Sequence, residues 1–257
     1  IRVTDVLNPM DLREPGMTDI EELRLPVFMT RLDYYFSNFS LSGFLVHEHE
    51  SHMMPVFGSS YYYLPYTLPN EIDPSNSFEN TEVALSLSGT FPGFDISFYM
   101  ADIYDDMAFL NISNQRVHER IFMTGLAVNK ARGNFLYKAE AALFNGLRLS
   151  AFEQNGIRVE NSHDYTRLDY LAGIEYSGFR NTSLSIEVAD KWFTDFNSEA
   201  QKSGSKEHTV QYALRISRTF LNEILEVTTL LSYYGETADD GGFFKFYGDY
   251  DITDNMT

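Results

Sequence analysis

Three histidines and two glutamates fall together at His47-Glu48-His49-Glu50-Ser51-His52, ahead of Met53 and Met54, in a chain with six histidines altogether. In an extended segment alternate side chains share a side, so His47 and His49 project together. Two imidazoles and a carboxylate suit a transition metal, and the thioethers are soft enough for copper. His47, His49 and His52 are therefore candidate ligands. The spacing is not His-Glu-x-x-His, so the zinc hydrolase reading fails. A solvated histidine-rich loop accounts for the same residues without a metal.

Hydrolytic chemistry would need a histidine beside a serine or aspartate. His118, His163 and His208 are the candidates, with Ser162 and Asp164 flanking His163. Neighbours in a strand point to opposite faces, so this adjacency does not build a dyad, and surface loop histidines explain all three. No enzyme, no catalytic residue and no cofactor is expected. The run Tyr61-Tyr62-Tyr63-Leu64-Pro65-Tyr66 reads either as a sugar-stacking surface or as a loop folded inward and packed by its own rings.

A third set is dispersed. Arg31, Asp33, Glu82, Asp95, Lys138, Glu140, Arg167, Asp169, Glu175, Glu187, Lys191, Arg215 and Glu226 each occupy the polar phase of an alternating segment. Charges of both signs facing a pore create a transverse field that orients solutes. The alternative is that neighbouring strands pair them into ladders that stiffen a wall and carry no solute.

The elements that must position these groups are strands. Across 82–88, Val83, Leu85 and Leu87 oppose Glu82, Ala84, Ser86 and Ser88, and the same period of two recurs at 165–176, 183–192 and 210–217. Weaker versions at 28–36, 41–46, 94–102, 121–130, 135–144, 224–234 and 243–250 bring the total to about eleven. Connections alternate. Turn-forming residues close short links near 37–38, 90–93, 131–134, 178–181 and 221–223, while 47–80, 103–119, 145–164, 194–207 and 235–241 are longer and polar. All short turns thus fall at one end, as in an outer-membrane barrel. Segments of nine to eleven residues suffice to cross the hydrocarbon layer. Aromatic residues flank the short turns, including Tyr34 to Phe36, Phe39, Phe91, Phe94, Phe135, Tyr137, Tyr176 and Phe179, where girdles belong. No run approaches the eighteen apolar residues of a transmembrane helix. A soluble sandwich or lipocalin-like barrel is the rival fold, but the non-apolar face here is Ser, Ala, Gly, Glu and Gln rather than lysine-rich.

Composition agrees. Among 257 residues, 37 Asp and Glu against 19 Lys and Arg leave a net charge of -18, which repels nucleic acid. Cysteine is absent, which excludes disulfides and thiol chemistry. Aromatic residues make up 15% of a chain whose mean hydropathy is -0.26, so disorder is excluded as well. Much of the acidity lies in the long connections, at 48–50, 71–73, 102–106 and 239–240, where it could share divalent cations with lipopolysaccharide phosphates.

The stretch Val3-Thr4-Asp5-Val6-Leu7-Asn8-Pro9-Met10-Asp11-Leu12-Arg13-Glu14, followed by Glu22-Leu23-Arg24-Leu25-Pro26, has no strand periodicity. It resembles the Asp-x-x-Asn-Pro-x-Asp-x-Arg element, leading to a Leu-Arg-x-Pro strand, of an uncharacterised family of porin-like proteobacterial outer-membrane barrels of unknown function. The motif match covers about the first 26 residues, and the remainder agrees in strand rhythm. The resemblance implies longer proteins with strands on both sides of this sequence and a part in moving hydrophobic or other small compounds across the outer membrane. It brings no catalytic residues. Asp5, Asn8, Pro9, Asp11 and Arg13 match the motif, and their structural reading is a plug-like or lumen-lining segment over 1–24.

The expectation is an all-β, antiparallel, up-and-down transmembrane barrel, one domain over 1–257, with further strands before residue 1 and after a turn at 251–257. It would lie in the bacterial outer membrane, in contact with lipid and lipopolysaccharide, and pass a small-molecule solute. The second reading is a structural or partner-binding barrel that holds another envelope protein.

Overall fold

The computed structural model describes residues 2–14, 17, 23–62 and 64–251. Glu22 of the lead-in, Tyr63 of the aromatic run and the turn expected beyond residue 251 lie outside the described residues. Alternation of apolar and small polar residues yields strands β1 (Met29–Phe36), β2 (Phe39–Val46), β3 (Glu71–Ile72), β4 (Glu82–Phe91), β5 (Phe94–Tyr104), β6 (Phe109–Leu110), β7 (Arg116–Val117), β8 (Arg120–Arg132), β9 (Phe135–Leu147), β10 (Phe152–Gln154), β11 (Ile157–Val159), β12 (Tyr165–Phe179), β13 (Thr182–Phe193), β14 (His208–Phe220), β15 (Leu225–Tyr234) and β16 (Gly242–Tyr250). Eleven of them form one sheet in the order β1-β2-β4-β5-β8-β9-β12-β13-β14-β15-β16, with every neighbouring pair antiparallel.

The short turns are tighter than composition implied. Thr90 and Phe91 remain paired with Asp95 and Phe94, which leaves only Pro92 and Gly93 to reverse the chain. Gly93 sits at φ +73° and Gly133, at the equivalent turn, at +61°, where a glycine costs nothing sterically. The long connections contain structure that alternation could not reveal. β3, β7 and β6 form a three-stranded sheet, β10 and β11 a hairpin, and Asn197 caps the one-turn helix α1 (Ser198–Lys202) by accepting hydrogen bonds from the amides of Glu199 and Ala200.

The register separates two faces. Leu41, Leu87, Phe98, Leu126, Ala141 and Tyr170 lie in one row across β2, β4, β5, β8, β9 and β12. Phe98 in that row is 50% exposed. Leu32, Val83, Leu85, Met100, Phe122, Ile186, Val188, Ile216, Phe244 and Phe246 share this exposure, so the apolar face runs from the first strand of the sheet to the last. No soluble monomer presents such a surface to water, whereas hydrocarbon accepts it without cost. Its lower margin is a chain of rings: Tyr34, Phe36, Phe39, Phe91 and Phe94 follow one another with centroids 5.6–6.2 Å apart, and Phe135, Tyr176 and Phe179 continue it.

The buried core lies on the opposite face. Ala84, Ala101, Ile103, Ile121, Met123, Ala142, Phe144 and Leu147 pack there against Val6 and Leu7 of the lead-in, while Val3 packs against Leu171 and Ala189. The interior toward the long-loop end is thus partly apolar and filled, where the sequence pattern implied a water-filled lumen. The lead-in supplies the side chains that cover it, and strand periodicity carries no information about a segment crossing from elsewhere in the chain.

Candidate functional site

The inner face encloses a cavity of about 660 Å³ that reaches from Met29 and Arg31 on β1 to Glu187 on β13, with Thr4, Val6 and Asn8 of the lead-in in its wall. Strands lie about 4.8 Å apart, so seven steps along a flat sheet would separate β1 and β13 by roughly 34 Å. Both lining a cavity of this size requires the sheet to curl around the lead-in.

The lead-in is held by its own motif residues. Arg24 donates from Nη1 to the Asn8 carbonyl (2.6 Å) and from Nη2 to the Asp5 carbonyl (2.9 Å), and its Nε lies 3.3 Å from Asp5 Oδ2. Asn8 Nδ2 donates to the Leu25 carbonyl, and the Leu25 amide to that of Pro9, which is fully buried. Arg13 makes a forked contact with Asp11 and holds that carboxyl below the usual carboxylate range. Asp5, Asn8, Pro9, Asp11 and Arg13 therefore fold a knot with 23–25. The knot is tied to the wall at Glu140, whose Oε2 accepts the Val3 amide (3.0 Å), the Thr4 amide (3.2 Å) and Thr4 Oγ1 (2.9 Å). Across the interior, Lys245 on β16 donates to the Met17 carbonyl at 3.1 Å.

The register puts all the charges picked from alternation on this inner face, but in different employment. Arg31 and Asp33 pair at 2.9 Å, with Ser42 Oγ donating to the same carboxylate. Lys138 lies 3.5 Å from Glu175 and 3.8 Å from Glu187. Arg167 makes two hydrogen bonds to buried Asp169 while its guanidinium covers Phe144. The first and third of these pairings lie within one strand, and only Lys138 reaches other strands. Glu140 anchors the lead-in, Glu82 accepts the Tyr104 amide, and Glu226 accepts from Thr228. Asp95 and Arg215 are exposed on the inner face with no hydrogen bond or ion pair among the described residues, and Lys191 is exposed there too.

The histidines separate. His47 Nε2 lies 2.9 Å from Thr30 Oγ1, and its ring is beside Phe28. His52 Nδ1 accepts the Met10 amide at 3.1 Å. The residues brought near His49 are instead Asp73 and His118, which spacing could not identify because they come from different connections. His163 pairs with Asp195 and His208 with Asp190; the latter also accepts from Tyr170 on the outward face. Among the described residues no serine hydroxyl bonds either ring. In the aromatic run Tyr61 and Tyr66 are exposed, and Tyr62 packs edge-on against Phe57.

His52 and Asp106 lie 3.5 Å apart, the separation of an ion pair, yet neither is charged at neutral pH. His52 Nδ1 already accepts an amide, and burial, with Lys191 and Arg24 nearby, lowers its pKa to about 4. Burial, reinforced by Glu82 and Asp105, raises that of Asp106 to about 8. Unfolded values are near 6.5 and 3.9. From pH 7 to 8 His52 is neutral when folded and mostly neutral when unfolded, while Asp106 keeps its proton only when folded, so stability falls as pH rises. The limiting slope is about 1.4 kcal/mol per pH unit, and the loss is about 1 kcal/mol across this window because folded Asp106 is half ionised by its end. Asp106→Asn is expected to remove that slope, as read from unfolding free energies of both proteins in detergent at matched pH.

The model of the family described as a protein of unknown function (DUF1302) matches residues 3–235. The chain belongs to the DUF1302 family. That is the kind of family the lead-in motif resembled. No curated protein matches the chain in sequence. In structure it is similar to the outer membrane channel DcaP of Acinetobacter baumannii, at 11% identity and a TM-score of 0.54, over 94% of this chain and 66% of the channel's. A loop L8 deletion mutant of OmpT, an outer membrane protein of Vibrio cholerae, aligns at 9% identity and a TM-score of 0.49, over 86% of this chain and 62% of that one. This DUF1302 chain thus spans just under two thirds of those proteins. Its fold is that of an outer-membrane β-barrel.

Proposed function

We propose that the protein is an outer-membrane channel passing small solutes, with the lead-in as its internal constriction. The observation that carries this reading is the pairing of a continuous apolar outer face with an inner face of ion pairs, serines and threonines around a cavity of about 660 Å³. The DcaP channel of similar fold supports it. Lipid meets the outer wall, and the acidic long connections would meet lipopolysaccharide through shared divalent cations. A second reading, a barrel that holds another envelope component, is favoured by Val3, Val6 and Leu7 filling part of the interior.

Planar bilayer recordings decide between them. Steady ohmic current supports the channel, and a folded but silent barrel supports the partner role. Asp95 and Arg215, having no partner in the wall, are the residues assigned to ion preference. In water a unit charge at about 6 Å contributes roughly 0.7 kcal/mol, so the two-unit change in Arg215→Glu is expected to shift the permeability ratio toward cations by on the order of threefold to tenfold. Reversal potentials under a potassium chloride gradient measure it, and an unchanged ratio removes Arg215 from the pathway.

A further inference from the structure

Where the first and second long connections meet, His118 is wholly buried and its Nδ1 lies 2.6 Å from the Asp105 carbonyl oxygen. A carbonyl only accepts, so Nδ1 carries a hydrogen, which leaves Nε2 either as a second donor or as a lone pair for a cation. Nε2 faces Glu71 Oε1 at 2.9 Å and Asp73 Oδ1 at 3.5 Å, both of them acceptors. Ser51 Oγ, 3.2 Å from Nε2, donates to Asp73 Oδ1 at 2.6 Å. Nε2 and two carboxylate oxygens therefore converge, and either a proton or a cation must lie between them.

His49 completes the group. Its side chain is 2% exposed, and Nδ1 lies 3.3 Å from Glu82 Oε1, so the hydrogen again sits on Nδ1. Its Nε2 is buried with no hydrogen-bond partner among the described residues. The two imidazoles are 4.7 Å apart between centroids, and His49, Asp73 and His118 each bring a ligand atom within 4.8 Å of the others. A proton on His118 Nε2 would satisfy Glu71 but leave the His49 lone pair buried and unmet. A dication satisfies all of them.

The geometry points to a structural binding site for a zinc-class divalent cation, formed by His49, His118 and Asp73, with Glu71 beside His118. Tetrahedral zinc with bonds near 2.0–2.1 Å places its ligand atoms about 3.3 Å apart, close to the 3.5 Å between His118 Nε2 and Asp73, and pairs within 4.8 Å close by at most about 1.5 Å. The second layer is already built. Carbonyl and carboxylate acceptors fix the tautomer of both histidines, Arg116 holds the other oxygen of Glu71 at 2.7 Å, and Ser51 holds Asp73. Neutral imidazole with carboxylate suits zinc-class ions. A nucleophilic serine does not fit, because the Ser51 proton goes to Asp73 and His118 has no exposed surface. The metal would clamp the connection carrying His49, Glu71 and Asp73 to the one carrying His118.

The test uses the whole chain folded in detergent, stripped with chelator and titrated with zinc alone by calorimetry, then with cobalt(II) followed by its visible absorption. One ion per chain with micromolar or tighter affinity is expected. Loss of at least about tenfold in affinity is expected in His49→Ala and in Asp73→Asn. His47→Ala should bind like the parent. Asp73 is half exposed, so its variant reports on the site even where His49→Ala does not fold. Absence of saturable binding to the folded parent overturns the assignment, as does affinity unchanged in Asp73→Asn or lost in His47→Ala.

Discussion

Glu140→Ala is expected to raise the time-averaged channel current by about tenfold or more, through release of the lead-in rather than a wider wall. Glu140 Oε2 is the acceptor for both backbone and side chain at Val3 and Thr4, so one substitution removes three hydrogen bonds at once. Hydrogen bonds to a charged group contribute roughly 1.5–3 kcal/mol each, and three together, even discounted for partial exposure, exceed the 1.4 kcal/mol that changes a population tenfold. What remains is the contact of Val3 with Leu171 and Ala189 and the knot around Arg24, which holds the lead-in together but not to β9. Glu140→Gln separates the effects. An amide oxygen still accepts, so a smaller increase is expected, with sharper flicker as the segment leaves and returns. Single-channel recordings check both. If Glu140→Ala leaves conductance unchanged while the barrel folds, the lead-in does not constrict the path.

The wall was legible because its information is local. Leu85 and Ser86 declare opposite faces within two residues, and the register repeats that decision strand after strand. The lead-in was legible only as a motif. Nothing in the types of Asp5, Asn8 and Arg24 says that the guanidinium reaches two carbonyls sixteen and nineteen residues back. The histidines show the limit most clearly. His47, His49 and His52 are neighbours in sequence, but the chain turns between them, and each bonds to a different element: Thr30, Glu82 and Met10. His118 and Asp73 reach His49 because β3 runs parallel beside β7, a pairing of two residues that no period could announce. The filling of the interior was misjudged for the same reason. Ala142 and Met123 face inward from β9 and β8, and the arrival of the lead-in makes the region a core.

The largest expected effect on stability distinguishes the faces within one dipeptide. Leu126 is the midpoint of β8 and lies in the outward row between Phe98 and Ala141; Ala127 is the next residue and lines the interior cavity. An arginine facing lipid at mid-bilayer costs about 2–4 kcal/mol, so Leu126→Arg should lower the unfolding free energy by that amount in lipid vesicles. Ala127→Lys adds a long charged side chain one residue away, but into a polar cavity beside Glu140, its partner across β9. Its expected stability change is small, and its effect should appear as reduced current. A soluble β-sandwich predicts a different pair of results: the apolar face would be the packed interior, Leu126→Arg would prevent folding in water, and neither variant would depend on lipid. Measuring Leu126→Arg in bilayers of increasing hydrocarbon thickness sharpens the contrast. At the bilayer centre the penalty should grow as the nearest interface recedes, whereas the Ala127→Lys penalty has no reason to follow thickness at all.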